Sequence, residues 1–465
     1  MTSSQTHAAS RREFLRRAGA LSVTGVAAPW ALNLAALGEA AAANANASAT
    51  GYKALVCVFL YGGNDYANTV VPYDAASHAL YLGQRSAIAL PRSSLGATLL
   101  SPTTALAHAR QYALAPELAP LLPVFDAGRL AVLLNIGTLV QPTTKAQYTA
   151  RSVLLPPKLF SHNDQQSVWQ SSAPEGSTSG WGGRMGDLFA AGNGNATFTC
   201  ISAAGNAVFL SGQSAVQYQV TANGSVPLTA LQRPLFGSSM CSDALRAIVT
   251  APSSHLLEAE HTRIMKRSID AEAQLTTALA GQTGLTTVFP TGNTLAGQLA
   301  MVARMIAARS NLGAKRQVFF VSLGGFDNHD DLAVDHPALL AKVGPALAAF
   351  DAATLELGVA EAVTTFTASD FGRTLTTDGD GSDHGWGSMH FVMGGAVRGR
   401  AYYGEPPVIA NNGPDDVGQG RLLPSVSVDQ LGATLGSWFG VSDTELATVL
   451  PNLNRYSTRN LGFLA

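Results

Sequence analysis

Carboxylates and imidazoles recur in four short turns of this 465-residue chain. Asp65 ends Gly62-Gly63-Asn64-Asp65, and Asp327 and His329 share Gly325-Phe326-Asp327-Asn328-His329. Asp370 opens Asp370-Phe371-Gly372-Arg373, and His384 lies in Ser382-Asp383-His384-Gly385-Trp386. Ionised carboxylates together with neutral imidazoles suit zinc or manganese. Two ions held this way stabilise the attacking and leaving oxygens of an in-line displacement at phosphorus or sulfur. Any one such Asp is explained by a turn in which it bonds its own backbone. Four at the ends of apolar runs favour a shared site, with Asp65, Asp327, His329, Asp370 and His384 as the expected ligands of one or two divalent ions, whether zinc, manganese, magnesium or calcium.

Phe160-Ser161-His162-Asn163-Asp164 adds a hydroxyl, an imidazole and an acid. Ser161 precedes an expected helix start, where backbone N–H groups favour an anion, and is the candidate nucleophile; the same position suits a plain N-cap. His162 and Asp164 would orient it or join the ligands. Arg373 has the fork geometry to clamp an anionic oxygen, or to pair with a nearby acid. Asp383 and His390 are further ligand candidates, although His390 leads into the apolar Phe391-Val392-Met393 and also reads as a buried core histidine.

The elements behind these turns read as an alternation. Ala54 to Tyr61, Leu130 to Ile136, residues 317 to 323 and residues 362 to 368 are continuous apolar runs of strand length. Such runs are buried on both faces, which predicts a doubly wound, mostly parallel sheet holding its ligand outside the carboxyl ends of its strands. Helices are expected at 254 to 280, at 293 to 310 with Asn293 as N-cap, and from Pro337 to Leu357. Ser427 should cap another, and Ser442-Asp443-Thr444-Glu445 matches a capping box. Residues 171 to 242, rich in Gly, Ser, Asn and Thr, read as an irregular insertion or cap.

Residues 1 to 47 read as a twin-arginine signal, with Arg11-Arg12-Glu13-Phe14-Leu15 before an Ala-rich apolar stretch. The translocase of that route is then a transient partner, and the mature chain, 48 to 465, is expected as a single periplasmic or extracellular domain without a stable membrane span, no later segment approaching spanning length. A net charge of -2 with 13% charged residues offers no basic stripe for nucleic acid. Of the three cysteines, Cys57 falls inside a strand run, while Cys200 and Cys241 are free to pair in an oxidising compartment. Nucleophile-elbow, Walker and dinucleotide glycine motifs are absent.

Taken together, Tyr61 to Asp65 with Asn68 to Pro72, Phe160 to Gln166 with Trp169, Gly325 to His329, Ser369 to Thr374 and Asp383 to Gly387 resemble the exported bacterial domain-of-unknown-function 1501 family. That family is placed near the alkaline phosphatase and sulfatase superfamily. The resemblance implies an alkaline phosphatase-like α/β fold, with Asp65 and Asp370 on one ion and Asp327, His329 and His384 on the other. The superfamily usually has Asp-His where this chain has Asp370-Phe371, and Cys200 lacks the sulfatase signature around it. The implied activity is metal-dependent hydrolysis of a phosphate or sulfate ester, from a small anionic molecule or an envelope polymer. The alternative is a non-catalytic exported binding or assembly protein that keeps the fold.

Overall fold

The computed structural model describes residues 51–465 except 227 and 283. The expected export signal therefore lies outside the described residues. The chain is α/β with a largely parallel central sheet, as its apolar runs predict. Its strands are β1 (Lys53–Tyr61), β4 (Leu130–Gly137), β5 (Cys200–Ser202), β6 (Tyr218–Thr221), β7 (Gly224–Ser225), β8 (Arg316–Gly324), β9 (Val363–Ser369), β10 (Ser388–Met393) and β11 (Ala401–Tyr403), ordered β11-β4-β10-β9-β1-β8-β5-β6-β7, with β12 (Val426–Ser427) also paired to β4. Two short strands, β2 (Val70–Pro72) and β3 (Tyr112–Leu114), form a separate antiparallel pair.

Helices that matter below are α1 (Ala75–Gln84), α2 (His162–Ser171), α3 (Trp181–Phe189), α4 (Leu256–Ala280), α5 (Thr294–Ala307), α6 (Leu332–Glu356), α7 (Val428–Phe439) and α8 (Asp443–Val449). The pleat of β1 shows why its whole run is apolar. Ala54, Val56, Val58 and Leu60 enter one core with Leu299 and Val302 of α5 and Val343 and Phe350 of α6. Leu55, Cys57 and Phe59 point the other way, against Trp181 of α3 and Leu431 and Phe439 of α7. Both faces lose water, and each fully buried Val, Leu or Phe contributes about 1.5–3 kcal/mol.

Caps follow the expected chemistry. Asn293 accepts the Ala296 N–H at 3.2 Å, and Ser427 with Gln430 and Ser442 with Glu445 form capping boxes. Several expectations need correction. Helix α6 starts at Leu332, so Pro337 sits beyond its first turn. This helix is also long and apolar enough to cross a membrane by length and composition, contrary to the expectation that no later segment is; more than half of its most apolar 18-residue stretch is buried, so that apolarity serves the core. Residues 171 to 242 supply α3 and the strands β5 and β6, which extend the central sheet from β8. Cys200 is buried, Cys241 is exposed and all three cysteines are free, so the suggested pairing is not formed.

What this topology does for chemistry follows from register. β8 and β9 flank β1 in parallel, with Tyr61 opposite Gly324 and Leu60 opposite Ser369. Three acid-bearing turns therefore leave the sheet at one edge. The antiparallel β10 starts at that edge, and the segment before it pairs back, Arg373 bridging to His384.

Candidate metal centre

At this edge four side chains converge from two loops and one helix start. His162 Nε2 lies 3.0 Å from His384 Nε2, which lies 3.0 Å from His329 Nε2. The Asp327 carboxylate joins them, Oδ1 at 2.9 Å from His329 and 3.2 Å from His384, Oδ2 at 3.3 Å from His162. Four donors around a tetrahedral zinc ion with bonds of about 2.0–2.1 Å stand about 3.3 Å apart. Neighbouring donors here are 2.9 to 3.3 Å apart, close to that spacing, and they form two overlapping trios that share His384: His162, Asp327 and His384, and His329, Asp383 and His384, each with ligand atoms within 4.8 Å of one another.

Imidazole orientation supports the fit. His162 Nδ1–H donates to Asp370 Oδ2 at 2.6 Å, and His384 Nδ1–H donates to the Phe160 carbonyl at 2.7 Å. In both rings Nδ1 carries its proton outward, leaving Nε2 as the nitrogen that faces the cluster and is able to ligate. Phe160 adopts φ 73, a left-handed conformation unusual for a bulky residue, and its carbonyl receives His384. Arg421 steadies the same corner, donating to the His384 carbonyl at 2.9 Å and to Asp383 at 3.1 Å while lying 4.5 Å from the Phe160 ring centre.

Electrostatics are mutually consistent. Burial works to raise the Asp327 carboxyl, but the Arg373 hydrogen bond and charge, with His162 and His329, hold it below the usual range. The hydrogen bond it donates to Asp370 raises His162 above its ordinary value, against burial. Burial lowers His384, reinforced by the charges of His162 and Arg373. Asp383 is also held low: burial opposes this, but the His384 N–H and Arg421 outweigh it.

Glycines let the loops close on one another. At Gly62 (φ +114) an added Cβ would stand 2.4 Å from Asp327 N, and at Gly381 it would overlap the His329 carbonyl. Side chains there would push Asp327 and His329 out of place.

Asp327, His329 and His384 thus stand together, and His162, at first only an additional candidate, forms a trio with Asp327 and His384. Asp370 takes another role. Its Oδ1 accepts Gly62 N–H at 3.1 Å and its Oδ2 accepts Gln166 Nε2 at 2.8 Å besides His162, so it braces the His162 ring from behind. We expect Asp370→Asn to weaken ion affinity by roughly 10–100-fold with the fold retained, measured by competition with a chromophoric chelator; unchanged affinity would deny Asp370 this role.

Asp65 is withdrawn from the expected ion. It is 1% exposed, ion-paired with the wholly buried Arg85, and accepts the Ala67 N–H at 3.2 Å. Arg373 is no oxyanion clamp: it is fully buried and donates to Asp327, the Gly62 carbonyl and Ser382. Ser161 caps α2 by position only; its Oγ donates to Asp164 Oδ2 at 3.2 Å, and Asp164 pairs with Lys158 at 3.3 Å rather than joining the cluster. Asp383 approaches His329 and His384 from outside, within 4.8 Å of both.

His390 lies inside the sheet, with Nδ1 3.2 Å from Thr367 Oγ1 and Trp169 edge-on, and does not replace the imidazole missing at Phe371. Burial pushes it from 6.5 down to about 3, and pushes His336 of α6 to about 4. Between those values and about 6.5 the unfolded chain binds protons that the folded chain excludes, so stability is present above that window and falls as pH drops through it. The urea midpoint should therefore fall less between pH 7.5 and pH 5 in His390→Leu than in wild type; equal falls would mean that His390 is not held neutral.

Among the residues that sequence reasoning missed, Gln166 had a signal: it sits four positions after His162 and so shares its helix face. Phe160 acts through its carbonyl, and Arg85 and Arg421 through long-range pairing, which no local pattern displays.

The family profile described as "Protein of unknown function (DUF1501)" matches residues 52–455. No curated protein matches the chain. Among solved structures, the PsFucS1 sulfatase from Pseudoalteromonas sp. aligns at 10% identity and TM-score 0.34, covering 87% of this chain and 72% of that one. A mutant of the alkaline phosphatase PafA aligns at 10% identity and TM-score 0.27, covering 70% and 64%.

Proposed function

The chain belongs to this family of proteins of unknown function, and on that premise we propose that it is an exported metal-dependent hydrolase of phosphate or sulfate esters. The observation that carries the reading is a chain of neighbouring donors, three imidazole Nε2 atoms and the Asp327 carboxylate, in which adjacent atoms lie 2.9 to 3.3 Å apart. His162, His329, His384 and Asp327 would hold the ion. When bound, a divalent ion there supplies a hydroxide at neutral pH and charge to balance a developing oxyanion.

The chain's own groups favour an anionic ester. Helix α2 begins at the cluster with no side chain capping it, so its first N–H groups and dipole face the place where an ester oxygen would dock. Ser161 stands at that helix start, and its hydroxyl is held by Asp164, which can accept its proton. Phe371 packs on His162 and His384, with ring centres 4.9 and 4.8 Å away, and shields their inner sides from water. Export rests on the twin-arginine pattern of the first residues.

The test is hydrolysis of aryl phosphates and aryl sulfates by the purified protein before chelation, after it, and after refilling with zinc, manganese, magnesium or calcium. Turnover lost on chelation and restored by one of these ions is the expected result. A fully loaded protein inert toward both ester classes would overturn the hydrolase reading in favour of an exported binding protein.

A further inference from the structure

We infer that the centre holds one ion, and that two buried arginines, Arg85 and Arg373, supply the fixed positive charge that a second ion would otherwise bring to the strand-end carboxylates. This rests on the proposed metal site for the first ion and goes beyond it in stoichiometry and in the role of the arginines.

Only one of the three strand-end acids has a carboxylate open to solvent. Asp327 is 44% exposed at its side chain, whereas Asp65 and Asp370 are each 1% exposed. Both oxygens of Asp370 already accept hydrogen bonds, from Gly62 N–H on one and from His162 and Gln166 on the other. Asp65 is neutralised by Arg85 and accepts Ala67 N–H. Phe371, which follows Asp370 directly, brings a ring and no donor. A second trio, His329, Asp383 and His384, shares His384 with the trio His162, Asp327 and His384, and one imidazole nitrogen serves one ion, so two complete sets do not stand side by side among the described residues of this edge.

The arginines are built in rather than incidental. Arg85 reaches from the end of α1 to donate to the carbonyls of Thr374 at 2.8 Å and Leu375 at 3.3 Å as well as to Asp65. Arg373 ties Asp327 to the Gly62 carbonyl and to Ser382. Between them they cross-link the turn after β1, the turn after β8 and the loop from 373 to 382. A guanidinium does not deprotonate in a protein, so this charge stays when metal is scarce. Arg85, wholly buried on Asp65, also repels a divalent cation placed there, more strongly in a buried setting than in water. Asp327 is the shared element, with one oxygen against Arg373 and both oxygens toward the histidines.

Zinc stoichiometry tests this. The purified protein is dialysed to equilibrium against zinc and its content measured by elemental mass spectrometry, beside His384→Ala and the double variant Asp65→Leu/Arg85→Met, which removes both buried charges together. The expected result is one zinc per chain in wild type and in the double variant, and none in His384→Ala. Two zinc ions in wild type would overturn the inference while leaving the metal-dependent reading intact; none would overturn both. Loss of zinc in a folded double variant would show Asp65 to be a ligand and overturn the inference. Should the double variant not fold, anomalous scattering at the zinc edge from wild-type crystals decides: one peak among His162, His329 and His384 supports the single-ion centre, and a second peak beside Asp65 or Asp370 refutes it.

Discussion

Alanine in place of His162 will empty the metal centre and stop ester hydrolysis, with a loss greater than the roughly 10–100-fold expected when only a group behind a ligand is changed. The reason is geometric. His162 is the single ligand candidate delivered by a helix rather than by a strand-end loop, and its Nε2 closes the set between His384 at 3.0 Å and Asp327 at 3.3 Å. Its removal also leaves Asp370, buried at 1% exposure, without one of its donors. Two readouts separate this from a folding defect: zinc content, which should fall to nothing, and near-ultraviolet circular dichroism, which should be kept. His162→Ala with full zinc and wild-type turnover would remove His162 from the centre. His390→Leu is the paired control, since that ring is buried in the sheet and should leave zinc content unchanged.

The second large effect concerns stability rather than turnover. Arg85→Ala should cost about 3–5 kcal/mol in urea denaturation, because breaking a buried ion pair on one side strands the remaining charge away from water. Arg85 and Asp65 have 0% and 1% side-chain exposure, so little solvent is available to screen Asp65 once its partner is gone. Asp65→Leu/Arg85→Met, with both charges gone, should cost much less than the sum of the single changes, a non-additivity that a double-mutant cycle measures. A loss below about 1 kcal/mol for Arg85→Ala, the range of exposed pairs, would contradict a buried pair. The same measurement bears on chemistry, for an Asp65 that served an ion would respond to chelation, whereas one committed to Arg85 will not.

Much of the site was legible before any coordinates. β-Branched and aromatic runs that stop at Gly-containing turns marked β1, β8 and β9, and alternation with helices placed their carboxyl ends together. That reasoning works because burial on two faces demands an unbroken apolar run, and because parallel neighbours deliver their ends to a common edge. That the turns carrying Asp327, His329 and His384 would meet followed from it. Asn293, Ser427 and Ser442 were equally readable as caps, since capping is a contact within one turn of chain. The largely parallel order held, while the antiparallel β10 between β4 and β9 did not announce itself: a strand buried on both faces has the same apolar pattern in either direction.

Local composition along the chain set which groups were available for chemistry, and the folded arrangement assigned them. Asp65 and Asp370 look alike in sequence, each an acid just past an apolar run, yet one faces a guanidinium and the other the back of an imidazole. The difference comes from Arg85, twenty residues beyond Asp65, and from His162, more than two hundred before Asp370. Likewise His162 and His390 were both ligand candidates in sequence, the second with an apolar run beside it, and only the fold brings the first into the cluster and seals the second in the sheet. Residue type decides what a side chain can donate, accept or ligate. Which of these it does depends on the partners that distant segments bring within about 3 Å, and on whether water remains to compete with them.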